Sequence, residues 1–417
     1  MIIKSVNELD IKVGLLVYAR PEVYLGKYFR HIKSRESFLV YEVSLDARVA
    51  DPDALRPLNV SCRRGEIVEF MLCKEGISTI DAVRYATKAL GLVLTYSGLK
   101  DAEARTCQFV RAVCTDDREL NSQYTLLRNK GKVELYTIGK AGELLFRGSL
   151  LGNYFVILLN FTEGNYDYDE ALRALSNVVE ALPKLLLPNF FGYQRFGTRR
   201  PTTHLVGKAL VECEFEEAVR CLVGYPLETE SEVVTAARRA FEEGDLSRSI
   251  KLFPKKFWIE KHVIRRLMKG WRPEKAILSL DRKILKLYIE AYQAYLFNLL
   301  LSTGLIEYGS IDVFARKCRV LPMPGPDALR VSGKASIGND CSDLVRRILR
   351  EVSYGDCCST KEFRRLFSRK LRTTYFKVFR PGYKATKKGV WLMFELTSGS
   401  YATILLRELL RENLILP

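Results

Sequence analysis

Leu92-Val-Leu-Thr-Tyr-Ser-Gly-Leu-Lys-Asp-Ala-Glu-Ala-Arg-Thr-Cys-Gln108 is the stretch on which the reading of this chain turns. The apolar run 92–96 reads as a strand, Gly98 as a turn, and 106–113 as a further strand. Asp101, with Lys100 beside it, therefore sits on a loop that leaves a strand. A carboxylate held there is fixed in position yet able to face a cleft, which suits a nucleophile or a general base. The same spacing suits a turn aspartate that caps the next element, and spacing alone does not separate the two.

Working outward, Ser78 with Asp81 forms an N-cap pair for a helix through about Leu90, closed by Gly91. Residues 38–43, 66–72, 132–137 and 154–160 read as strands, and a helix beginning near Tyr168 runs to about 187, where Pro188 stops it. From about 212 to 302 the pattern turns helical. Tyr288, Tyr292 and Tyr295 recur there at helical spacing, which points to core packing rather than a stacking surface. Pro322-Met-Pro-Gly-Pro326 is a stiff connection, 391–396 is a strand, and 401–413 is a final helix. The expected class is α+β: a mostly antiparallel central sheet interrupted by a largely helical insertion, with the last strand and helix returning to the sheet.

The 417 residues carry 66 Lys and Arg against 49 Asp and Glu, a formal charge of +17. Such a surface favours polyanions, and nucleic acid fits better than membrane because no window of about 18 unbroken apolar residues exists. No apolar signal-peptide core stands out in the first thirty residues, so a cytoplasmic chain is expected. The ten cysteines contain no Cys-x-x-Cys, and three histidines do not assemble a zinc pattern. Reduced, mostly buried thiols are the expectation. Phosphate loops, dinucleotide fingerprints and serine nucleophile elbows are absent, leaving carboxylate chemistry without a cofactor, or none.

Residues 361–388 hold eleven Lys or Arg and one acid, Glu362, with Tyr375, Phe376, Phe379 and Tyr383 interleaved. Cations neutralise phosphates and rings stack on unpaired bases, although a solvated helix followed by a core strand has the same composition. Asn189-Phe-Phe-Gly-Tyr-Gln-Arg-Phe-Gly197 offers an amide edge and rings for a base, or rings that plug a domain boundary.

Four segments, in order, resemble the TruD-type tRNA pseudouridine synthases, particularly their archaeal and eukaryotic-like branch. Arg35-Glu-Ser-Phe-Leu-Val-Tyr-Glu-Val43 resembles the N-terminal segment of that family. Gly98-Leu-Lys-Asp101, with Thr106 and Gln108, resembles its catalytic motif, and 189–197 matches another almost letter for letter. Gly399-Ser-Tyr-Ala-Thr403, with Arg407 and Glu408, resembles the C-terminal one. The resemblance implies uridine-to-pseudouridine isomerisation in tRNA, typically at position 13, with Asp101 catalytic and no cofactor or metal. It also implies substrate contacts from Phe38, Asn189, Phe191 and Tyr401, with Lys33 and Lys100 offsetting charge near Asp101. The catalytic domain would comprise 1–212 plus 372–417, and 213–371 would be the insertion; a basic cleft between the two would receive RNA. A monomer with no obligate protein partner is expected. Arg35-Glu-Ser-Phe38 departs from the family's Pro-Glu-Asp-Phe, Ala102 and Glu103 replace basic residues, and Tyr401 replaces the commoner Phe. A non-enzymatic RNA chaperone with the same basic surface is the rival reading. A cofactor-dependent RNA methyltransferase is disfavoured by the missing Gly-rich loop.

Overall fold

A computed structural model describes residues 2–102, 104–128, 131–164, 166–197, 199–330 and 339–416. Packing divides the chain into two compact units. One comprises residues 23–185, 377–402 and 409–417, and the other 1–22, 186–376 and 403–408.

The first unit is built on an eleven-stranded sheet. In chain order its strands are β1 (Phe29–Ile32), β2 (Phe38–Val43), β3 (Ile67–Glu75), β4 (Thr95–Tyr96), β5 (Arg105–Val113), β6 (Gln123–Arg128), β7 (Gly131–Ala141), β8 (Gly152–Phe161), β9 (Phe379–Thr386), β10 (Gly389–Thr397) and β11 (Leu414–Ile415). The main path runs β6-β7-β3-β5-β2-β8-β10-β9, while β1 pairs with β8 and β11, and β4 with β5. Pairing is antiparallel except for β2 with β5 and β11 with β1, which confirms the expected sheet type.

β3 is buried along most of its length because both its faces are covered. Val68, Phe70 and Leu72 meet Ala82, Val83, Ala86 and Leu90 of the helix Thr79–Leu90, while Met71 and Cys73 meet Tyr41, Cys107 and Phe109 on the opposite side. The helix starts as read: Ser78 accepts the Asp81 amide, and Gly91 closes it in the left-handed conformation. The parallel register of β2 with β5 sets Leu39 opposite Arg105, so the start of β2 lies at the same sheet end as the Asp101 loop.

The second unit is largely helical. Its core is organised by the helix Arg282–Tyr308, which buries Tyr288 and Tyr292 as the spacing implied. The helix Thr203–Glu212 lies close against it at Gly207, where a Cβ would come 2.0 Å from the Tyr288 carbonyl oxygen, so no larger residue fits.

Three expectations need correction. The helix from Tyr168 ends at Ala181, because Pro183 lacks an amide and disfavours helical geometry before it; Pro188 lies instead in the short strand Leu187–Pro188. Of 92–96 only Thr95–Tyr96 is strand. The cysteines are not all thiols: Cys62–Cys114, Cys73–Cys107, Cys213–Cys357 and Cys318–Cys341 are disulfides, and Cys221 and Cys358 are free and buried. Cys73 and Cys107 are register partners on β3 and β5, a proximity that only strand pairing creates.

Candidate active site

The Asp101 loop is pinned by side chains from three directions. Thr79, the first residue of the helix Thr79–Leu90, accepts the Lys100 amide at 2.9 Å through Oγ1. From β5, Gln108 donates Nε2–H to the Gly98 carbonyl at 3.1 Å. Ser97 donates its hydroxyl to the Ser149 carbonyl at 3.0 Å. A loop held at 97, 98 and 100 leaves Asp101 little freedom to drift, which is the pre-organisation a reacting carboxylate needs.

One lysine meets that carboxylate, and two more lie on or against its loop. Lys33 donates Nζ–H to Asp101 Oδ2 at 2.6 Å, its own side chain nearly buried while that of Asp101 is 34 % exposed. The same ammonium lies 5.0 Å from the centre of the Phe38 ring, so Lys33, Phe38 and Asp101 form one contiguous group. Phe38 is itself backed by His31 and Phe155. Burial lowers the His31 pKa to about 4, so its ring is neutral, with Nδ1–H donated to the Leu158 carbonyl at 2.8 Å.

Lys74 lies beneath, on β3, and donates Nζ–H to the Asp101 carbonyl at 2.7 Å. Its side chain is fully enclosed, and burial first, then the Lys100 charge, pull its pKa down to about 8 against the opposing pull of Asp101. Lys100 faces Glu42 at 2.9 Å and donates to Asn153 Oδ1 at 2.7 Å. Burial raises the Glu42 pKa in spite of Lys100. Sequence reading missed Lys74, Glu42 and Asn153. The available signal was a lone charge inside an apolar strand, Lys74 in Ile67–Glu75 and Glu42 in Phe38–Val43, since a buried charge persists only where it is paired.

Tyr401 belongs to the same unit, just before the helix Ala402–Leu410, half-buried after the left-handed Gly399. Asn189 and Phe191 belong to the helical unit. The Asn189 amide is committed internally: Nδ2 donates to Thr373 Oγ1 at 2.9 Å, and Oδ1 accepts from Arg372 at 2.7 Å. Phe191 is half-buried between the Phe297 ring and the Arg372 guanidinium, 4.0 Å from its centre. Arg407 and Glu408 are buried frame residues: Arg407 pairs with Asp10 at 2.8 Å and bonds the Leu15 and Val17 carbonyls, while Glu408 accepts the Ala19 and Arg20 amides. Of the basic stretch 361–388, residues 361–376 belong to the helical unit and 377–388 to the sheet unit. Phe376 is core and Phe379 is exposed. Glu103 lies outside the described residues.

The model of the family described as TruD, tRNA pseudouridine synthase D, matches residues 13–321. The chain belongs to the TruD family. Proteins named "Probable tRNA pseudouridine synthase D" from Pyrobaculum aerophilum and Saccharolobus solfataricus are each 32 % identical to it. The first alignment covers 96 % of both chains, the second 84 % of this chain and 85 % of the relative. A crystal structure of a TruD-named protein from Methanosarcina mazei superposes with a TM-score of 0.67 at 21 % identity, covering 97 % of this chain and 98 % of that one. That likeness concerns the fold. Among the described residues, no helix of this TruD family member is long and apolar enough to cross a membrane.

Proposed function

We propose that this chain isomerises uridine to pseudouridine in tRNA, at position 13 as the family expectation, with Asp101 as the catalytic carboxylate. The observation that carries the reading is the pinned Asp101 loop with Lys33 on the carboxylate and the Phe38 ring alongside, in a chain of the TruD family. Asp101 acts on the target nucleotide as a nucleophile or as a base at the ribose. The N1–C1′ bond breaks, the held uracil turns, and C5 bonds to C1′. C5 then loses its proton and N1 gains one, so atoms and electrons balance without a cofactor. The target nucleotide leaves its stack first, at a few kcal/mol.

Phe38 and Tyr401 are proposed as walls for the loose base, with Lys33 and Lys100 supplying positive charge. Asn189 and Phe191 are assigned to substrate binding by their motif; with the Asn189 amide already bonded to Thr373 and Arg372, its contribution is to fix the loop that carries Phe191. The insertion is proposed at 213–371, and the catalytic domain at 1–212 plus 372–417. The enzyme acts as a cytoplasmic monomer on tRNA.

Asp101→Asn keeps the shape and removes the charge. Purified Asp101→Asn protein is expected to form no pseudouridine in tRNA transcripts while binding them within several-fold of the parent. Full activity of that variant overturns the assignment, and RNA binding that responds only to Lys and Arg changes in 361–388, with no pseudouridine formed by the parent, would favour the chaperone reading.

A further inference from the structure

The helical unit holds a half-open cavity of about 380 Å³ to which the proposed isomerisation gives no task. Its floor is Arg238, whose side chain is 1 % exposed. Arg238 Nε donates to both Glu230 oxygens at 3.0 and 2.8 Å, and Nη1 to the Leu222 and Val223 carbonyls at 2.8 and 3.0 Å. Arg200 adds a second cation on Glu230 at 3.0 Å, so two guanidiniums neutralise that one carboxylate. The other carboxylate on the wall is Glu260, 3.7 Å from Arg238, and burial raises its pKa.

At the rim stand Arg199 and Lys256, both exposed and neither paired with a carboxylate among the described residues. Four cations thus face two carboxylates, one of them doubly neutralised. Thr202 lines the same space, is 8 % exposed, and its hydroxyl has no hydrogen-bond partner among the described residues. That hydroxyl is available to a ligand that enters the space. Three helices begin at this wall, Thr203–Glu212, Glu232–Glu242 and Trp258–Met268, and none has its N-cap side chain bonded. The N-terminal ends of these helices add partial positive charge at the wall. The turn that brings Arg199 and Arg200 here depends on Gly197, at φ +90°, where a Cβ would lie 2.4 Å from the Arg200 carbonyl oxygen.

The space exceeds what a bare phosphate fills and reaches the range of pockets that enclose small organic ligands. Phe257, Leu222 and Val234 supply an apolar wall beside the cations. We propose that this cavity binds the phosphate of a nucleotide, with Arg199, Lys256 and Thr202 on the oxyanion and the apolar wall against its sugar and base. The nucleotide is either one residue of bound tRNA or a free mononucleotide. Only the tRNA source rests on the function proposed above.

The experiment measures binding of uridine 5′-monophosphate and of uridine by calorimetry, and of a tRNA transcript by filter retention between 50 and 200 mM salt. The proteins are the parent, Thr202→Val, the double variant Arg199→Ala/Lys256→Ala, and Asp101→Asn. A free-nucleotide site is read as monophosphate binding at least tenfold tighter than uridine, weakened at least tenfold in the double variant and several-fold in Thr202→Val, with tRNA affinity unchanged. A tRNA site is read as at least tenfold weaker tRNA binding in the double variant, with a salt dependence reduced by about one to two phosphate contacts. Asp101→Asn retains either property, so failure of the catalytic reading and failure of this one are told apart. Unchanged monophosphate and tRNA binding in the folded double variant, checked by an unaltered thermal midpoint, overturns the proposal.

Discussion

Lys74→Met tests whether the amine beneath Asp101 is there for position rather than for stability. The fall of the Lys74 pKa from its ordinary 10.5 to about 8, at 1.36 kcal/mol per pKa unit, makes the enclosed charge unfavourable by about 3 kcal/mol at neutral pH. Against this stands its hydrogen bond to the Asp101 carbonyl, a charge-assisted contact of about 1.5–3 kcal/mol. Met fills the same volume with neither term, so the variant should be within about 2 kcal/mol of the parent at pH 7. Its catalytic effect should be larger. The Asp101 peptide loses its support from below, and kcat/KM for tRNA is expected to fall at least tenfold. The pH dependence separates the two terms. Below about pH 8 the amine is protonated in both folded and unfolded chains, and the folded chain bears the whole penalty. As pH rises from 8 toward 10.5 the folded chain releases the proton while the unfolded chain keeps it, so the parent gains stability. Urea midpoints at pH 7 and pH 9.5 should show the parent gaining about 2 kcal/mol relative to Lys74→Met. Parallel midpoints at the two pH values, together with unaltered kcat/KM, would refute the reasoning.

His204, stacked on Tyr295, has its pKa lowered to about 4 by burial, so its stabilising contribution is present above pH 6.5 and lost as pH falls through 4; His204→Phe should flatten the acid limb of the urea-midpoint profile by up to about 3 kcal/mol. Arg407→Met leaves Asp10 without its ionic partner and should destabilise by about 3–5 kcal/mol in denaturant titrations, whereas a loss under 1 kcal/mol would remove Arg407 from the frame. Protein purified without reductant and unfolded in guanidinium should expose two thiols to Ellman's reagent, Cys221 and Cys358, and ten after reduction; ten before reduction would contradict the four bridges.

Much of the sheet was legible because strand propensity and burial agree there. Residues 38–43 match β2, and the Ser78–Gly91 helix matches at both ends because capping is local chemistry. The disulfides were illegible because the paired cysteines are 23 to 144 residues apart and meet only through tertiary structure. The argument from compartment also has exceptions, since some intracellular proteins keep disulfides. The helix after Tyr168 is shorter than its pattern implies because Pro183 already supplies a stop before Pro188. Lys74 and Glu42 were passed over because alternation marks a strand without saying which buried charge finds a partner.

The four motifs contain two kinds of residue, and the letters do not distinguish them. Asp101 puts charge into a partly open site, where Lys33 from just before the first motif meets it and Phe38 lies alongside. Gln108 ties the Gly98 carbonyl, Asn189 ties Thr373 and Arg372, and Arg407 and Glu408 tie the segments at 15–20. Those groups are enclosed and already bonded, so each can reach a ligand only by giving up a bond worth about 0.5–3 kcal/mol. A residue that binds substrate by exchange would gain little over water. One that holds the backbone still lets every nearby group act without reorganising, which is where positioned electrostatics derives its strength. Replacing Gln108 should accordingly disturb the alignment of the Asp101 loop and lower kcat, while leaving tRNA affinity near that of the parent.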